Sequence, residues 1–336
     1  MGLVDRIIKQ AQSDPRRIVF PESDEPRTIK AVEELVKKKI ARPILIGERK
    51  NLGALYSSEV MKIAVVVEPD AKCLKRFLPR LMALRKDKGM TEGLAREELK
   101  DRMVLAVMMM DAGDADGAVS GAVHPTSHTI RPAFQIIGAK TKGRKASGVF
   151  IMEDPKNAKT KRFFLFADCA VNPDPTAEEL AGIAVDTANT ALSFGIKPVV
   201  ALLSFSTYGS ASHQLIEKVQ KAAVLAKSQA PKGSIIDGEL QLDAAIIPEV
   251  CKNKAPESPV KGKANVLIFP DLNAGNIGYK LAERLGGLQA VGPFIQGLKM
   301  PVNDLSRGCS VKDIVDVAAI TVVQAQGCRR TQRCRK

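Results

Sequence analysis

The sequence predicts an α/β protein in which mainly parallel sheets carry helices on both faces. Three observations lead there. Apolar runs of strand length alternate with segments of helical spacing from one end of the chain to the other. The run at 198–204, Pro-Val-Val-Ala-Leu-Leu-Ser, is continuously apolar, as a strand buried on both faces should be. The chain has 336 residues, 45% hydrophobic and 26% charged, which suffices for about two globular domains.

The elements follow in order. Residues 17–21 hold Ile-Val-Phe ahead of a proline and read as the first strand. Ile29, Val32, Leu35 and Val36 have helical spacing, so a helix is expected over 27–40. A second strand is expected at 43–47, a mostly buried helix at 97–110, and a short strand and turn at 117–121. Residues 163–167 form another strand. Thr176 and Glu179 make a capping box that opens a helix reaching about Ser193, and Gly195 supplies its stop. After the strand at 198–204 come a helix at 215–228, strands at 244–248 and 266–270, and helices at 275–285 and 314–324. The basic stretch 140–145 is a candidate crossing between domains. Residues 251–263, rich in Lys, Pro and Ser, are expected to form an exposed loop. In such sheets ligands bind beyond the carboxyl ends of the strands, which singles out the loops at 120–131, 204–210 and 271–276.

The formal net charge is +14. Arg329, Arg330, Arg333, Arg335 and Lys336 put five cations and no acid in the last eight residues, which leaves +9 on the rest. A basic body attracts polyanions. Aromatic residues at 4% and the absence of Trp argue against base stacking, so small polyanions are the expected partners rather than nucleic acid. Cysteines 73, 169, 251, 309, 328 and 334 form no Cys-x-x-Cys pair, and the three histidines complete no zinc spacing; reduced, incidental thiols are expected and a metal is not. No run of 18 apolar residues occurs, and the start Met-Gly-Leu-Val-Asp-Arg lacks an apolar core of signal length. A cytoplasmic protein is the expectation.

Five segments could carry chemistry. In 117–132, Ser120, Gly121, Thr126, Ser127, Thr129 and Arg131 follow a short strand. Hydroxyls and backbone amides there could cradle a phosphate, with Arg131 as a bidentate clamp; a capped turn fits the same composition equally. His124 and His128 stand four apart without a partner acid to complete a metal site. Ser204-Phe-Ser-Thr-Tyr-Gly-Ser210, with Ser206 at its centre, suits close approach of a phosphate, or a polar turn. Asp237-Gly-Glu-Leu-Gln-Leu-Asp243 gathers acids, for which a solvated turn is favoured over a metal site or an acid/base pair. Asp271, Asn273 and Asn276 end a buried strand and open a helix, as caps do. The fifth, 303–313, reads Asn-Asp-Leu-Ser-Arg-Gly-Cys-Ser-Val-Lys-Asp and sets Ser306, Arg307 and Asp313 just ahead of a helix: an anion site with a base nearby. Ser310-Val-Lys-Asp313 is also a capping-box pattern, so Asp313 reads as base and as cap alike. Arg307 has no such local role. Arg85 is a further candidate cation, or simply a basic helix end.

Together these segments resemble the phosphate acetyltransferase (phosphotransacetylase) family. The matching stretches are Leu84-Arg-Lys-Asp-Lys-Gly-Met-Thr91, Ser120-Gly-Ala-Val-His-Pro-Thr126, Thr129-Ile-Arg-Pro-Ala133, Ser206-Thr-Tyr-Gly-Ser210, Asp237-Gly-Glu-Leu-Gln-Leu-Asp-Ala-Ala245, Phe269-Pro-Asp-Leu-Asn-Ala-Gly-Asn276 and Asn303-Asp-Leu-Ser-Arg-Gly308. They are collinear and run from about Arg17 to Gln326. The resemblance implies reversible transfer of an acetyl group between acetyl phosphate and coenzyme A, by direct thiolate attack in a ternary complex. It implies no metal, no permanently bound cofactor and no covalent intermediate, with coenzyme A as a substrate. It implies two α/β domains with the active site in the cleft between them: residues 1–142 plus 296–326, and residues 143–295. The basic tail 327–336 falls outside it. A homodimer is implied as well.

Residue by residue, the resemblance implies that Asp313 takes the thiol proton and that Ser306 positions the thiol or steadies the intermediate. It implies that Arg307 binds the acyl phosphate and stabilises developing charge, with Arg85 and Arg131 as companion substrate-binding arginines. Ser120, Thr126, Ser206 and Asn273 complete the substrate-binding candidates. An ordinary Asp near 3.9 and a thiol near 8.5 leave a gap of about 4.6 units, on the order of 6 kcal/mol for complete transfer, so burial or nearby arginines must narrow it. Some relatives carry a cysteine near the acyl site, in the part that corresponds to 153–162; this chain has none there. A phosphate butyryl- or propanoyltransferase would share the chemistry and differ in acyl pocket width. A silent coenzyme A- or anion-binding module of the same fold would be favoured by loss of Arg307 or Asp313, and both are present.

Overall fold

The computed structural model describes residues 1–141, 143–155 and 162–333, with side chains described to residue 328. It divides into two compact units, one of Val4–Lys140 with Leu298–Lys336 and one of Met1–Leu3 with Thr141–Gly297. The discontinuous unit begins with α1 (Leu3–Ser13), β1 (Arg17–Phe20), α2 (Pro26–Lys37), β2 (Arg42–Ile46), α3 (Arg49–Leu55), α4 (Ser58–Ile63) and β3 (Val65–Val67). It continues through α5 (Ala71–Arg85), α6 (Glu92–Glu98), α7 (Arg102–Asp111), β4 (Gly117–Ser120) and α8 (Thr126–Pro132). The other unit holds β5 (Ser147–Glu153), β6 (Phe163–Ala167), α9 (Ala177–Ser193), β7 (Val199–Leu203), α10 (Gln214–Ser228) and β8 (Ile235–Leu240). It ends with α11 (Leu242–Ile246), α12 (Pro248–Lys254), β9 (Val266–Ile268), α13 (Leu272–Arg284) and β10 (Gln289–Gln296). The chain then returns to the discontinuous unit with β11 (Val302–Asp304) and α14 (Val311–Arg333).

The sheet of the discontinuous unit has the order β11-β4-β1-β2-β3, and every pair is parallel. Its strands are short, and apart from the edge strand β3 they are buried on both faces, which suits runs such as Ile18-Val19-Phe20 and Ile44-Leu45-Ile46. Helix α2 starts where Glu25 accepts from the Thr28 amide at 2.8 Å and Pro26 pre-sets the first turn. It buries Thr28, Ala31, Val32, Leu35 and Val36; of the predicted stripe, Val32, Leu35 and Val36 are buried and Ile29 is half-buried. Helix α14 is buried along Ile314–Val323, a mostly apolar stretch that includes Asp316 and Thr321.

The other sheet has the order β10-β5-β6-β9-β7-β8. Strands β6, β9, β7 and β8 are parallel, and β10 and β5 add antiparallel edge pairings. Helix α9 opens on the predicted capping box, with Glu179 N on Thr176 Oγ1 at 3.2 Å and Thr176 N on Glu179 Oε2 at 3.0 Å. Phe150, Phe164, Phe166 and Phe269 anchor its core.

Three local expectations need correcting. The helix foreseen over 97–110 is two helices, α6 and α7, because Asp101 intervenes and caps α7 by accepting from Met103 N (2.7 Å) and Val104 N (3.3 Å). Leu99 between them is fully buried, so the apolar pattern runs on through the break. The strand expected at 244–248 is instead α11, with Pro248 opening α12; the strand lies earlier, at β8. A short apolar run does not by itself distinguish the two. The stretch 251–263 is no exposed loop throughout: Cys251, Ser258 and Val260 are buried, and Ser258 donates to Asp237 Oδ2 at 2.5 Å. At the carboxyl end α14 continues to Arg333, and the side chains of 329–333 and all of 334–336, including Cys334 and Lys336, lie outside the described residues. Among the described residues no helix is long and apolar enough to cross a membrane.

Candidate active site

Strands β11, β4 and β1 are neighbours and run parallel, so their carboxyl ends emerge side by side. This is where ligands bind in such sheets. The end of β4 leads through residues 121–125 into α8, which carries Thr126 and Arg131, both exposed. The end of β11 leads through Ser306 and Arg307, also exposed, into α14 with Asp313 in its first turn. The two loops are tied together: Leu305 N donates to Ser120 O at 2.7 Å. Gly121, at φ +107°, packs so closely that a Cβ there would lie 2.4 Å from Asp304 Oδ1 and 2.6 Å from Leu305 O.

The turn after β1 organises both loops. Glu22 is buried, and its carboxylate accepts from four successive amides: Gly121 (3.0 Å), Ala122 (2.8 Å), Val123 (3.2 Å) and His124 (3.3 Å). His124 Nδ1 lies 2.7 Å from the same carboxylate. The amides of 121–124, in the segment expected to cradle a phosphate, are therefore taken by an internal anion. Arg27, paired with Glu25, donates to Ala122 O (2.8 Å), Arg307 O (2.8 Å) and Cys309 O (3.0 Å). One guanidinium thus holds carbonyls from both loops.

His124 and His128 stack with ring centroids 4.3 Å apart. His128 Nε2 lies 2.5 Å from Asp101 Oδ2, so the acids that the local sequence lacks arrive from elsewhere in the chain. Even so, no His/Cys/Asp/Glu group among the described residues is arranged to hold a metal. Glu22, Asp101, Arg102, Ser120, His124 and His128 help to line a cavity of about 310 Å³. Ser120 is buried there, and its Oγ has no hydrogen-bond partner among the described residues. Burial pushes the Asp304 carboxyl above its ordinary range, offset in part by the Thr126 and Thr129 hydroxyls.

Asp313 forms the cap that its sequence pattern predicts. Asp313 Oδ2 accepts from Ser310 N and Ser310 Oγ, both at 2.8 Å, and Asp313 N donates to Ser310 Oγ at 3.2 Å. The capping box is formed, and it engages one carboxylate oxygen. Ser306 Oγ accepts from Gly308 N at 3.3 Å, and nothing among the described residues pairs with the Arg307 guanidinium. Arg85 closes α5, half-buried, with an unpartnered buried Nε; no hydrogen bond among the described residues ties it to either loop.

Ser206 and Asn273 belong to the other unit. Ser206 is fully buried after β7, its Oγ 3.2 Å from Glu239 Oε1, which also accepts from Gly209 N at 2.7 Å. Tyr208, at φ +48°, donates to Asp237 Oδ2 at 2.6 Å, and burial followed by that carboxylate pushes its hydroxyl up to about 12. Asp237 also meets Lys227 at 2.6 Å. Residues 237–240 therefore lie in strand β8, where buried Asp237 and Glu239 shape the 204–210 loop, and 241–243 cap and open α11, so the segment is not a solvated turn. Asn273 is exposed in the first turn of α13, which Asp271 caps through Ala274 N at 2.9 Å. An apolar cavity of about 400 Å³ lies here, lined by Phe205, Leu215, Leu242 and Phe269 among others.

Sequence reasoning passed over Glu22, Arg27 and Asp304. The strand-end rule that singled out other loops applies equally to β1, and Pro21-Glu-Ser-Asp-Glu-Pro-Arg27 follows it directly.

Comparison with known proteins shows the family. The family described as “Phosphate acetyl/butaryl transferase” matches residues 2–322. A phosphate acetyltransferase of Thermoanaerobacterium thermosaccharolyticum is 50% identical over 329 residues, covering 97% of this chain and 100% of the relative. One from Acetivibrio thermocellus is 48% identical, covering 97% and 99%. The crystal structure of a phosphotransacetylase from Streptococcus pyogenes superposes with a TM-score of 0.90 at 41% identity, over 97% of this chain and 98% of that one. The chain belongs to the phosphate acetyl/butyryl transferase family of acyltransferases.

Proposed function

We propose that this chain catalyses reversible transfer of an acetyl group between acetyl phosphate and coenzyme A. The observation that supports the residue roles is the joining of the β4 and β11 loops at adjacent strand ends by Arg27, which donates to Ala122 O on one loop and to Arg307 O and Cys309 O on the other. Arg307 and Arg131, exposed, are available to hold the phosphoryl group, and Arg85 has a buried Nε still to satisfy. Asp313 caps with Oδ2, and Oδ1 makes no hydrogen bond among the described residues, so that oxygen is available to take the thiol proton. The sulfur then bonds to the acyl carbon, the bond from that carbon to the phosphate oxygen breaks, and phosphate leaves. Arg307 stabilises the charge that develops, and the Ser306 hydroxyl orients the thiol.

Acetyl is favoured over butyryl by the names of the relatives at 48–50% identity. Coenzyme A acts as substrate rather than resident cofactor. A homodimer working in the cytoplasm is the assembly this reading carries with it. The test mixes the protein with acetyl phosphate and coenzyme A and follows thioester absorbance, for wild type and Arg307→Ala. Wild type turns over and Arg307→Ala loses about 10²–10³-fold in kcat. No wild-type turnover refutes the activity, and equal turnover of butyryl phosphate refutes the acetyl assignment.

A further inference from the structure

Glu22 has more bonds than a carboxylate in a turn needs. It is 5% exposed, it sits two residues after β1, and five donors converge on it from residues about a hundred positions away. Two carboxylate oxygens offer about four lone-pair sites, so the four amides and the His124 ring saturate it. Four consecutive amides aimed at one point make a nest that attracts any anion. Left empty, that nest would compete with the arginines for the substrate's phosphate. Filled by Glu22, it becomes a clamp on residues 121–124, the segment between Ser120 and the helix that carries Thr126 and Arg131.

We propose that Glu22 is a positioning residue for acyl transfer: it holds loop 121–124, and through it Ser120 and Arg131, in the conformation that binds the acyl phosphate, with His124 as its second anchor. This rests on the acetyl-transfer reading above. It also means that the phosphate is gripped by arginine and hydroxyl side chains, because the loop's own amides are occupied. A local shift of about 1 Å is enough to cost roughly 10²-fold in a positioned reaction.

The experiment compares wild type, Glu22→Gln and His124→Asn in the full-length chain. Kinetics with acetyl phosphate and coenzyme A are read as separate kcat and KM values, and amide hydrogen exchange is followed over 121–124. Glu22→Gln keeps the shape but turns an NH₂ toward amide donors. It should speed exchange at 121–124 and lower kcat/KM for acetyl phosphate roughly 10²-fold, mostly through KM. A purely structural role would lower kcat in step with the folded fraction and leave KM unchanged. His124→Asn removes one bond and spares the four amides, so it stays informative where Glu22→Gln does not fold; a smaller rise in the same KM is expected. An active wild type whose folded variants keep wild-type KM values overturns the positioning role alone. An inactive wild type overturns the acetyl-transfer reading and this inference with it.

Discussion

The closest approach between the two site loops can be tested with a single methyl group. In Gly121→Ala the new Cβ would stand 2.4 Å from Asp304 Oδ1, 2.6 Å from Leu305 O and 2.7 Å from Leu305 N. Two of those atoms are backbone, so a rotamer change cannot absorb the clash, and the loops must part by several tenths of an ångström. The residue also sits at φ +107°, which costs an L-residue about 1–2 kcal/mol. Overpacking adds about 1–3 kcal/mol, for a total of about 2–5 kcal/mol. Gly113→Ala is the control: φ is +80°, but nothing lies within 4 Å of its Cβ, so it bears the backbone cost alone. Urea unfolding should place Gly121→Ala below Gly113→Ala by about 1–3 kcal/mol. Assays with acetyl phosphate and coenzyme A should show kcat/KM reduced by up to about 10²-fold in Gly121→Ala only. Equal stability of the two variants, with wild-type kinetics in both, would refute the account of the loop junction.

Other consequences follow from named contacts. Asp313→Asn keeps an oxygen for the Ser310 amide and should leave stability within about 1 kcal/mol, while loss of the base lowers kcat by roughly 10²–10⁴-fold. Ser310→Ala should do the reverse, costing about 1 kcal/mol in unfolding with kcat much less affected; matching kinetics in the pair would leave Asp313 as a cap only. Burial raises the Asp304 carboxyl in the folded state, so folding favours its proton, and stability falls as pH rises from the unfolded value near 3.9 through the raised one. Unfolding of Asp304→Asn followed against pH should lose that slope, and an unchanged profile would contradict it. Asp237 has the opposite sign: burial pushes it up, but Lys227, Ser258 and Tyr208 together hold it below the ordinary value. Its contribution is present above about pH 3.9 and is lost as pH falls through the depressed value. Lys227→Met should therefore destabilise by about 1–3 kcal/mol at neutral pH, with a smaller penalty in acid.

The fold was legible wherever the signal was local. The capping box at Thr176, the apolar stripe of α2 and the continuous run of β7 depend on residues within a few positions of one another, and each lies where the pattern puts it. The errors arose where tertiary contacts decided. Ala244 and Ala245 are small enough to be buried in a helix as readily as in a strand, and the core around them accepts the helix. Leu99 is buried in the bend between α6 and α7, so periodicity alone could not show that Asp101 starts a new helix. The edge strand β10 and its neighbour β5 pair antiparallel across more than a hundred residues, a register that no local pattern encodes.

The site divides along the same line, and the reason is electrostatic. Arg307 stands out in the sequence because it has no local structural role, and Arg131 because it follows hydroxyls and amides suited to an anion; both are exposed, and their roles belong to the proposal above. The amides of 121–124 also call for an anion, and within their own segment the only candidate was a ligand. The carboxylate that answers is Glu22, separated from Gly121 by 99 positions. The same holds for Asp237 and Glu239, which looked solvated only because Lys227, Ser258, Tyr208 and Ser206 come from other parts of the fold. A run of amides at a strand end is thus a phosphate cradle only if no buried carboxylate folds onto it. Glu22 already accepts from all four amides, and that is why the proposal above gives the phosphate to the arginines.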